Sequence, residues 1–347
     1  MMYKIKYLLF VLLLYSCEKV EQVSESVSVI NEFLVQKESV TTSDLKSAGS
    51  KNVFTADDEI YLYGYSKSSD SPTIGTRFLP MADNTTGVTY EYEEDKSGWH
   101  RFLRNENDGM EIGFWKTGLY HDFRAYYLET KPETPNLELT LASDGLPKED
   151  LLWGEVKNVY FSGAEYTIPK ITFKHQLSRI RVDVMHDIDM EGVTSEDFKI
   201  IEIKFNLNKK KATFNLETGD WSNEDLTGIL IKEEFSSGKS IPIPKLTWEE
   251  VAEWWVLPES TLSDFMFHLS RKGEDDAEPY VVKFENLFEE TEDGEPAVVK
   301  TKAGYITVLR IKLGDIKQII FTVSLEPWEK HPEKETITDK DIVEPDT

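Results

Sequence analysis

Short runs in which apolar and polar residues alternate recur along most of this chain. In the first half they include 58–65, 88–92, 123–128 and 137–141, with turn residues between them. Alternation with a period of two places the apolar side chains on one face of a β-strand. Many short strands separated by Gly, Pro and Asn, without a long pattern of helical period, predict an all-β chain built from sandwiches.

The stretch Ile171–Val184, at the middle of the chain, has a strand pattern that changes phase. Apolar residues occupy odd positions up to Leu177 and even positions from Ile180 onward. A slip of one residue turns every later side chain to the opposite face. A sheet accommodates this with a β-bulge, or with a strand that crosses from one sheet to its neighbour. We therefore predict an architectural junction, in which His175 and Arg179 serve packing and local hydrogen bonding.

The second half contains patterns of paired strands. The run 201–216, with a turn at 208–211, predicts one hairpin, and a second turn at 218–220 precedes Trp221. The clearest pair lies within 305–325, where two alternating runs flank a Gly-Asp turn. These runs predict that the second half is also a β-structure.

One segment of the second half has a helical signature. Thr247 and Glu250 have the spacing of a capping box, and Trp248, Val251 and Trp255 share one face of a helix. The segment therefore predicts a short helix.

The start of the chain has the features of an export signal. Two lysines precede an apolar run over 7–15, which is too short for a bilayer core that needs roughly 20 residues. Leu14-Tyr15-Ser16-Cys17 resembles a bacterial lipobox, and Cys17 is the only cysteine of the chain. An ordinary signal peptide with a chance cysteine is the alternative. A lone thiol in an exported chain favours modification over disulfide pairing, so we interpret 1–16 as a lipoprotein signal peptide and Cys17 as the lipid-attachment residue.

The length of the remaining chain indicates two domains, because 331 residues remain when 16 of the 347 are removed. We assign 17–52 as a lipidated, flexible N-terminal tether and 53–168 as an N-terminal β-sandwich domain. Residues 169–328 form the predicted C-terminal β-sandwich domain, and 329–347 an acidic tail.

The tether (17–52) and the acidic tail (329–347) each allow an alternative structural interpretation. The tether contains a short apolar patch at Val29-Ile30 and Phe33-Leu34, which either belongs to a flexible linker or forms a first strand that docks onto the body. The tail, with its many acids, is expected to be mobile. Its few apolar residues allow the alternative of a strand offered to a partner.

The charge of the chain restricts its partners. The formal net charge of -25 becomes -27 when the signal peptide is removed, because two lysines and no acid are lost. This balance argues against nucleic acid and against peripheral binding to anionic lipid. Membrane attachment would then depend on Cys17 alone. The acidic excess serves solubility, with Ca²⁺ binding as an alternative.

No pattern in the sequence points to catalysis, a metal or a cofactor. The six histidines show no metal-binding spacing, and Gly-x-Ser-x-Gly, phosphate-loop and dinucleotide motifs are missing from the sequence. With 64 carboxylates, chance pairs are certain, so a glycosidase pair cannot be argued from proximity in sequence. We predict a protein that is not an enzyme.

The tryptophans allow two interpretations. Trp221, Trp254 and Trp255 either fill a sandwich core, the commoner use of aromatic residues, or stack on sugar rings at the surface. The second interpretation makes a glycan-binding outer-membrane lipoprotein the alternative function.

Several segments together resemble one protein family. Within 171–184, the residues Phe-Lys-His-Gln-Leu-Ser-Arg-Ile-Arg-Val are similar to the Phe-x-His-x-Leu-x-x-Ile/Leu-x-Val segment of fimbrillin-like proteins, the lipoprotein pilins and accessory subunits of Bacteroidetes. Similar pieces follow the family's order at 113–127, 212–221 and 320–328, so the resemblance spans about 55–328.

The resemblance implies an architecture and a function. The architecture is two tandem transthyretin-like Greek-key β-sandwich domains with an outer-membrane lipid anchor. The implied function is that of a structural or adhesive cell-surface lipoprotein in a fimbria. Its partners would be other fimbrial subunits, bound by strand exchange after a surface protease removes an N-terminal strand, and ligands on host or bacterial surfaces.

The chain departs from the family at the place of that cut. Stalk subunits are cut after a basic residue, usually Arg, but no Arg precedes Arg77 here. Lys37, Lys46 and Lys51 are the basic residues in the corresponding segment. The departure leaves an anchor, a tip or a non-polymerising surface protein as alternatives to a stalk subunit.

The lipid anchor can be tested by substitution. Cys17→Ser removes the thiol that would carry the acyl chains. Each CH₂ group of such a chain that is buried in the membrane contributes about 0.8 kcal/mol to the free energy of membrane binding. We expect the variant to leave the membrane fraction, measured by fractionation of cells. Retention of the variant in membranes would contradict the assignment.

Overall fold

The computed structural model describes residues 30, 32–37, 54–80, 86–96, 99–104, 114–163, 167–186, 198–240, 248–271, 280–281, 299–313 and 319–327. Every regular element in these ranges is a β-strand. None of the described segments forms a helix that could cross a membrane. The strands, in chain order, are β1 (Glu32–Lys37), β2 (Glu59–Lys67), β3 (Thr76–Leu79), β4 (Val88–Lys96), β5 (Trp99–Arg104), β6 (Leu119–Tyr127), β7 (Asn136–Thr140), β8 (Leu152–Phe161), β9 (Lys170–His175), β10 (Ser178–His186), β11 (Phe198–Leu207), β12 (Lys211–Asn215), β13 (Trp221–Asp225), β14 (Ile229–Ser240), β15 (Glu249–Val256), β16 (Leu262–Arg271), β17 (Tyr280–Val281), β18 (Tyr305–Leu313) and β19 (Ile319–Pro327).

The first sheet closes on itself. Its strand order is β3-β2-β4-β5-β1-β9-β8-β6, and β6 pairs in addition with β2. Because β2 pairs with β4 along its first half and with β3 along its second half, β3 lies beside the closed ring. Closure satisfies strand edges that would otherwise be free to pair with another chain.

Strand β2 contributes to two hydrophobic cores. Ile60 and Leu62 belong to the core inside the ring. The alternate residues Tyr61, Tyr63 and Tyr65 point outward into a second core, which they share with the second half of the chain. The alternation therefore marks a strand that is buried on both faces, since these five side chains are all at most 5% exposed.

The interior of the ring includes a histidine. His121 is fully buried, and its ring packs edge-on against the rings of Phe78 and Trp115. Burial lowers the pKa of His121 to about 4, so the imidazole is neutral at neutral pH. The neutral ring can accept the hydrogen bond that the Lys116 backbone N–H donates to its Nε2 atom at 3.1 Å.

The second half of the chain forms a sandwich. The sheets β15-β10-β18-β19 and β14-β11-β16-β17 both contribute to the second core. Ile180 and Val182 from β10 and Ile203 and Phe205 from β11 all belong to this core. A third sheet, β13-β12-β7, pairs strands from both halves of the chain. The prediction of an all-β fold built from sandwiches is confirmed, while the transthyretin-like type of its domains stays a prediction.

The phase slip in the central stretch lies where the chain changes sheet. Strand β9 pairs with β8 and β1 in the ring, whereas β10 pairs with β15 and β18 in the sandwich. Of the two predicted solutions, the chain thus adopts the crossing between sheets. The change of sheet comes after His175, and the predicted domain boundary at 168/169 stays a prediction.

Two local predictions in the second half are wrong. The segment with capping-box spacing forms strand β15, because pairing with β10 outweighs a local helix signal. Strands β11 and β12 do not pair with each other; β11 lies between β14 and β16, and β12 lies between β7 and β13. The predicted turn before Trp221 and the closing pair β18–β19 are confirmed.

Candidate functional site: strand β1 and its groove

Strand β1 comes from the segment predicted as a tether. It pairs antiparallel with β5 and parallel with β9, so both of its edges are hydrogen bonded. The apolar patch therefore adopts the alternative of a docked first strand. The prediction of a flexible tether over 17–52 is corrected at Glu32–Lys37. We call the space between β5 and β9 that β1 occupies the β1 groove.

The inward face of β1 completes the core of the ring. Phe33 and Val35 are both fully buried. The ring of Phe33 lies edge-on to those of Tyr90 and Phe123, with centroids 5.0 Å away in each case. The hydroxyl of Tyr90 donates a hydrogen bond to the backbone oxygen of Ile30 at 2.8 Å. Removal of this strand would expose the core residues that Phe33 and Val35 now cover.

An arginine holds the outward face of β1. Arg101 of β5 donates from Nε to a carboxylate oxygen of Glu32 at 2.6 Å. The same guanidinium donates from Nη1 to Glu93 of β4 at 2.7 Å. Arg101 thus joins β1 to the neighbouring wall of the ring through two charge-assisted hydrogen bonds.

A second cation reaches over the strand from the opposite wall. The Nζ atom of Lys170, on β9, lies 5.3 Å from the ring centroid of Trp99, on β5. Since β1 runs between these strands, this cation–π contact spans its outward face, where Leu34 is only 8% exposed. Gln36 adds a hydrogen bond from its side-chain amide to Thr172 at 3.3 Å.

The second half of the chain is fastened to the outer face of the ring at Glu217. This residue lies in the turn between β12 and β13. Its carboxylate accepts hydrogen bonds from the hydroxyl of Tyr65 at 2.5 Å and from Arg77 at 3.2 Å. Arg124 donates to its backbone oxygen at 3.2 Å. Burial, together with the Glu217 carboxylate, raises the pKa of Tyr65, so its hydroxyl stays protonated as a donor.

His175 and Arg179 lie at the junction between ring and sandwich. His175 Nδ1 is 2.9 Å from Oδ1 of the buried Asp150. Arg179 Nη1 donates to Glu253 at 3.2 Å, and burial lowers the pKa of its guanidinium. The prediction that both residues serve packing and local hydrogen bonding is confirmed.

The three tryptophans do not form an open shelf. Trp254 and Trp255 are 1% and 0% exposed and belong to the second core. Trp221 is half-buried, and its ring packs against Phe214 with a centroid distance of 5.0 Å. The glycan-binding alternative therefore has no support from these residues.

Acidic groups are spread over the described surface without forming a metal site. No group of three or more His, Cys, Asp or Glu among the described residues is placed to hold a metal. An open pocket of about 210 Å³ is lined by Asp57, Asp58, Glu59, Tyr61, Tyr127, Leu128 and Glu129. Two of these carboxylates already accept hydrogen bonds from tyrosine hydroxyls. Tyr61 donates to Glu59, and Tyr127 donates to Asp58.

Several sequence predictions lie outside the described residues. They are the signal peptide 1–16, the lipid-attachment residue Cys17 and the acidic tail 329–347.

Comparisons with known proteins identify the family. Residues 47–328 match the family model described as fimbrillin-like, and the chain belongs to this family. It is similar to the crystal structure of a candidate cell adhesion protein from Bacteroides uniformis, with 17% identity, a TM-score of 0.51 and coverage of 88% of this chain and 100% of that one. A candidate cell adhesion protein from Bacteroides ovatus gives 13% identity, a TM-score of 0.52 and the same coverages. At these identities the likeness is one of fold. No curated protein matches the chain.

The sequence gives little sign of the groove residues. Arg101, Glu93, Lys170 and Trp99 lie on three different strands, and no motif joins them. The one available signal is in β1 itself, where Phe33 and Val35 alternate with residues of the outward face.

The contribution of β1 to the stability of the fold can be measured by shortening one of its buried side chains. Phe33→Ala should lower the free energy of unfolding by about 3 kcal/mol or more, because it leaves a cavity between two aromatic rings. Urea unfolding of the whole chain measures this. Gln36→Ala is the control, on the outward face of the same strand, with an expected loss below about 1 kcal/mol. A loss below about 1 kcal/mol for Phe33→Ala would show that β1 is not part of the core.

Proposed function

We propose that this chain is a structural and adhesive lipoprotein of the cell surface that takes part in a fimbria, with the β1 groove as its joint to other subunits. The observation that supports this most strongly is β1 itself, a short strand that is paired on both edges and is one of the strands that close the ring. The proposal assigns no catalytic activity, in keeping with the structural character of the fimbrillin-like family.

The position of β1 in the chain supports exchange of the strand. It is joined to the ring through residues 38–53, which contain Lys46 and Lys51 and directly follow Lys37. A cut after any of these lysines would leave β1 held by non-covalent contacts alone. A strand from another subunit could then take its place, since strand addition supplies the same backbone hydrogen bonds.

The proposed lipid anchor precedes β1 in the sequence. Residues 18–31 join Cys17 to the strand, and an extended segment of this length spans roughly 45 Å. A lipid on Cys17 would therefore hold the ring near the outer membrane. An uncut chain remains attached to its anchor, as an anchor subunit requires. A cut chain keeps its attachment only while β1 stays in the groove.

A covalent lock tests the exchange. Val35 of β1 lies opposite His100 of β5, so the double variant Val35→Cys, His100→Cys places two thiols on facing positions. If the groove exchanges strands, surface extracts of the wild type should give heat-sensitive ladders of high mass on gels. The locked variant should give monomer until a reductant opens the disulfide.

The control is the single variant Val35→Cys, which cannot form the lock. N-terminal sequencing of the mature protein locates the cut, expected after Lys37, Lys46 or Lys51. Identical ladders from the locked variant, or a wild type that begins at Cys17 and forms no ladder, would contradict strand exchange in this chain.

A further inference from the structure

We propose that the β1 groove selects its partner by a defined pattern of side chains. It accepts an extended strand of a different subunit in which an acidic residue is followed directly by an aromatic residue and, two positions after that, by an aliphatic one. It rejects the acidic tail of this chain. This inference rests on the proposed strand exchange and names the kind of strand that can take part.

The acid is selected by Arg101. Its guanidinium contacts Glu32 of β1 and Glu93 of β4, and only the first of these would leave with the strand. Glu93 would keep the guanidinium oriented while the groove is open, so the site for an incoming carboxylate is preorganised. The side chains of Arg101 and Glu32 are 24% and 15% exposed, which shields their contact from much of the solvent.

The electrostatics of the groove reinforce this choice. Leu34 lies opposite Arg101 on one wall and opposite Lys170 on the other. Two cations thus flank the outward face of the strand, in a chain whose formal net charge is -25. A lysine at the position of Glu32 would meet like charge, a repulsive element that gives specificity.

The apolar positions are selected by the ring core. The side chains of Phe33 and Val35 are fully buried, and Phe33 fits edge-on between two aromatic rings. A charged group at either position would be buried without a partner, which is strongly unfavourable. An incoming strand therefore needs apolar residues two positions apart.

The tail of this chain fails this requirement in every register. Its apolar residues in 329–347 are Ile337, Ile342 and Val343. The residues two positions before and after them are, respectively, Glu335 and Asp339, Lys340 and Glu344, and Asp341 and Pro345. Each register that turns one of these apolar residues inward would bury a charge or place a proline in the strand, where it removes a ladder hydrogen bond. A register that turns Thr336 and Thr338 inward would bury two hydroxyl groups in place of apolar side chains. The acidic tail of a second copy of this chain is therefore not a donor strand for this groove.

Peptide exchange into the full chain tests the selectivity. A specific protease site is placed at Lys46, and the chain is cut there, so that β1 stays in its groove without a covalent link. Fluorescent peptides are then added in mild urea, and their uptake is measured by native mass spectrometry and polarisation. The peptides are residues 30–37, the same peptide with Glu32→Lys, and residues 335–345.

We expect the peptide 30–37 to replace β1 and the Glu32→Lys peptide to bind at least about tenfold more weakly. The tail peptide should not bind. In the same cut chain carrying Arg101→Glu, the preference between the first two peptides should reverse. This reversal separates direct charge selection from a general loss of binding.

The outcomes distinguish the two proposals. Equal uptake of the 30–37 and Glu32→Lys peptides, or uptake of the tail peptide, would overturn the selectivity while strand exchange stands. Failure of every peptide, including 30–37, to enter the groove of the cut wild type would overturn strand exchange and this inference with it.

Discussion

Closure of the first sheet by β1 is the constraint on which the rest of the structure depends. The strand supplies ladder hydrogen bonds to β5 on one side and to β9 on the other, and its inward residues complete the ring core. Without it, the ring would carry two unpaired edges beside an open apolar core, an arrangement that invites pairing with another chain. The same feature that stabilises the intact chain is therefore the place at which the proposed strand exchange would occur.

The ring also carries the second half of the chain. Strand β9 passes directly into β10, so a wall of the groove continues into the sandwich. The tyrosines of β2 belong to the sandwich core, and Glu217 fastens the turn between β12 and β13 to the outer face of the ring. The groove is therefore built on a scaffold with two linked hydrophobic cores.

Patterns within single strands predicted much of this fold. The alternation in β2, the closing pair β18–β19 and the phase slip after Leu177 are local signals, and each corresponds to an observed feature. Pairing between distant segments was not predictable in the same way. The run 201–216 looks like one hairpin, yet its strands belong to different sheets. Strand β11 pairs with the later strands β14 and β16, and β12 pairs with the distant β7 as well as with the adjacent β13.

The groove residues show the same limit. Arg101 and Glu93 are neighbours of β1 only because the ring closes. No pattern in the sequence near Glu32 predicts their contact with this strand. The outward face of β10 is a further example. Arg181 and Asp183 are buried there, and the Arg181 guanidinium donates two hydrogen bonds of 2.8 and 2.9 Å to the Asp183 carboxylate.

Hydrogen exchange of the intact chain, followed by mass spectrometry of the peptides that cover 30–37, tests the central claim most directly. If β1 closes the ring, its amides should exchange at least about a thousandfold more slowly than in an unfolded peptide, and as slowly as those of β9 beside it. Exchange of these amides at the rate of an unfolded peptide, while β9 stays protected, would show that this segment is a tether and would contradict the account.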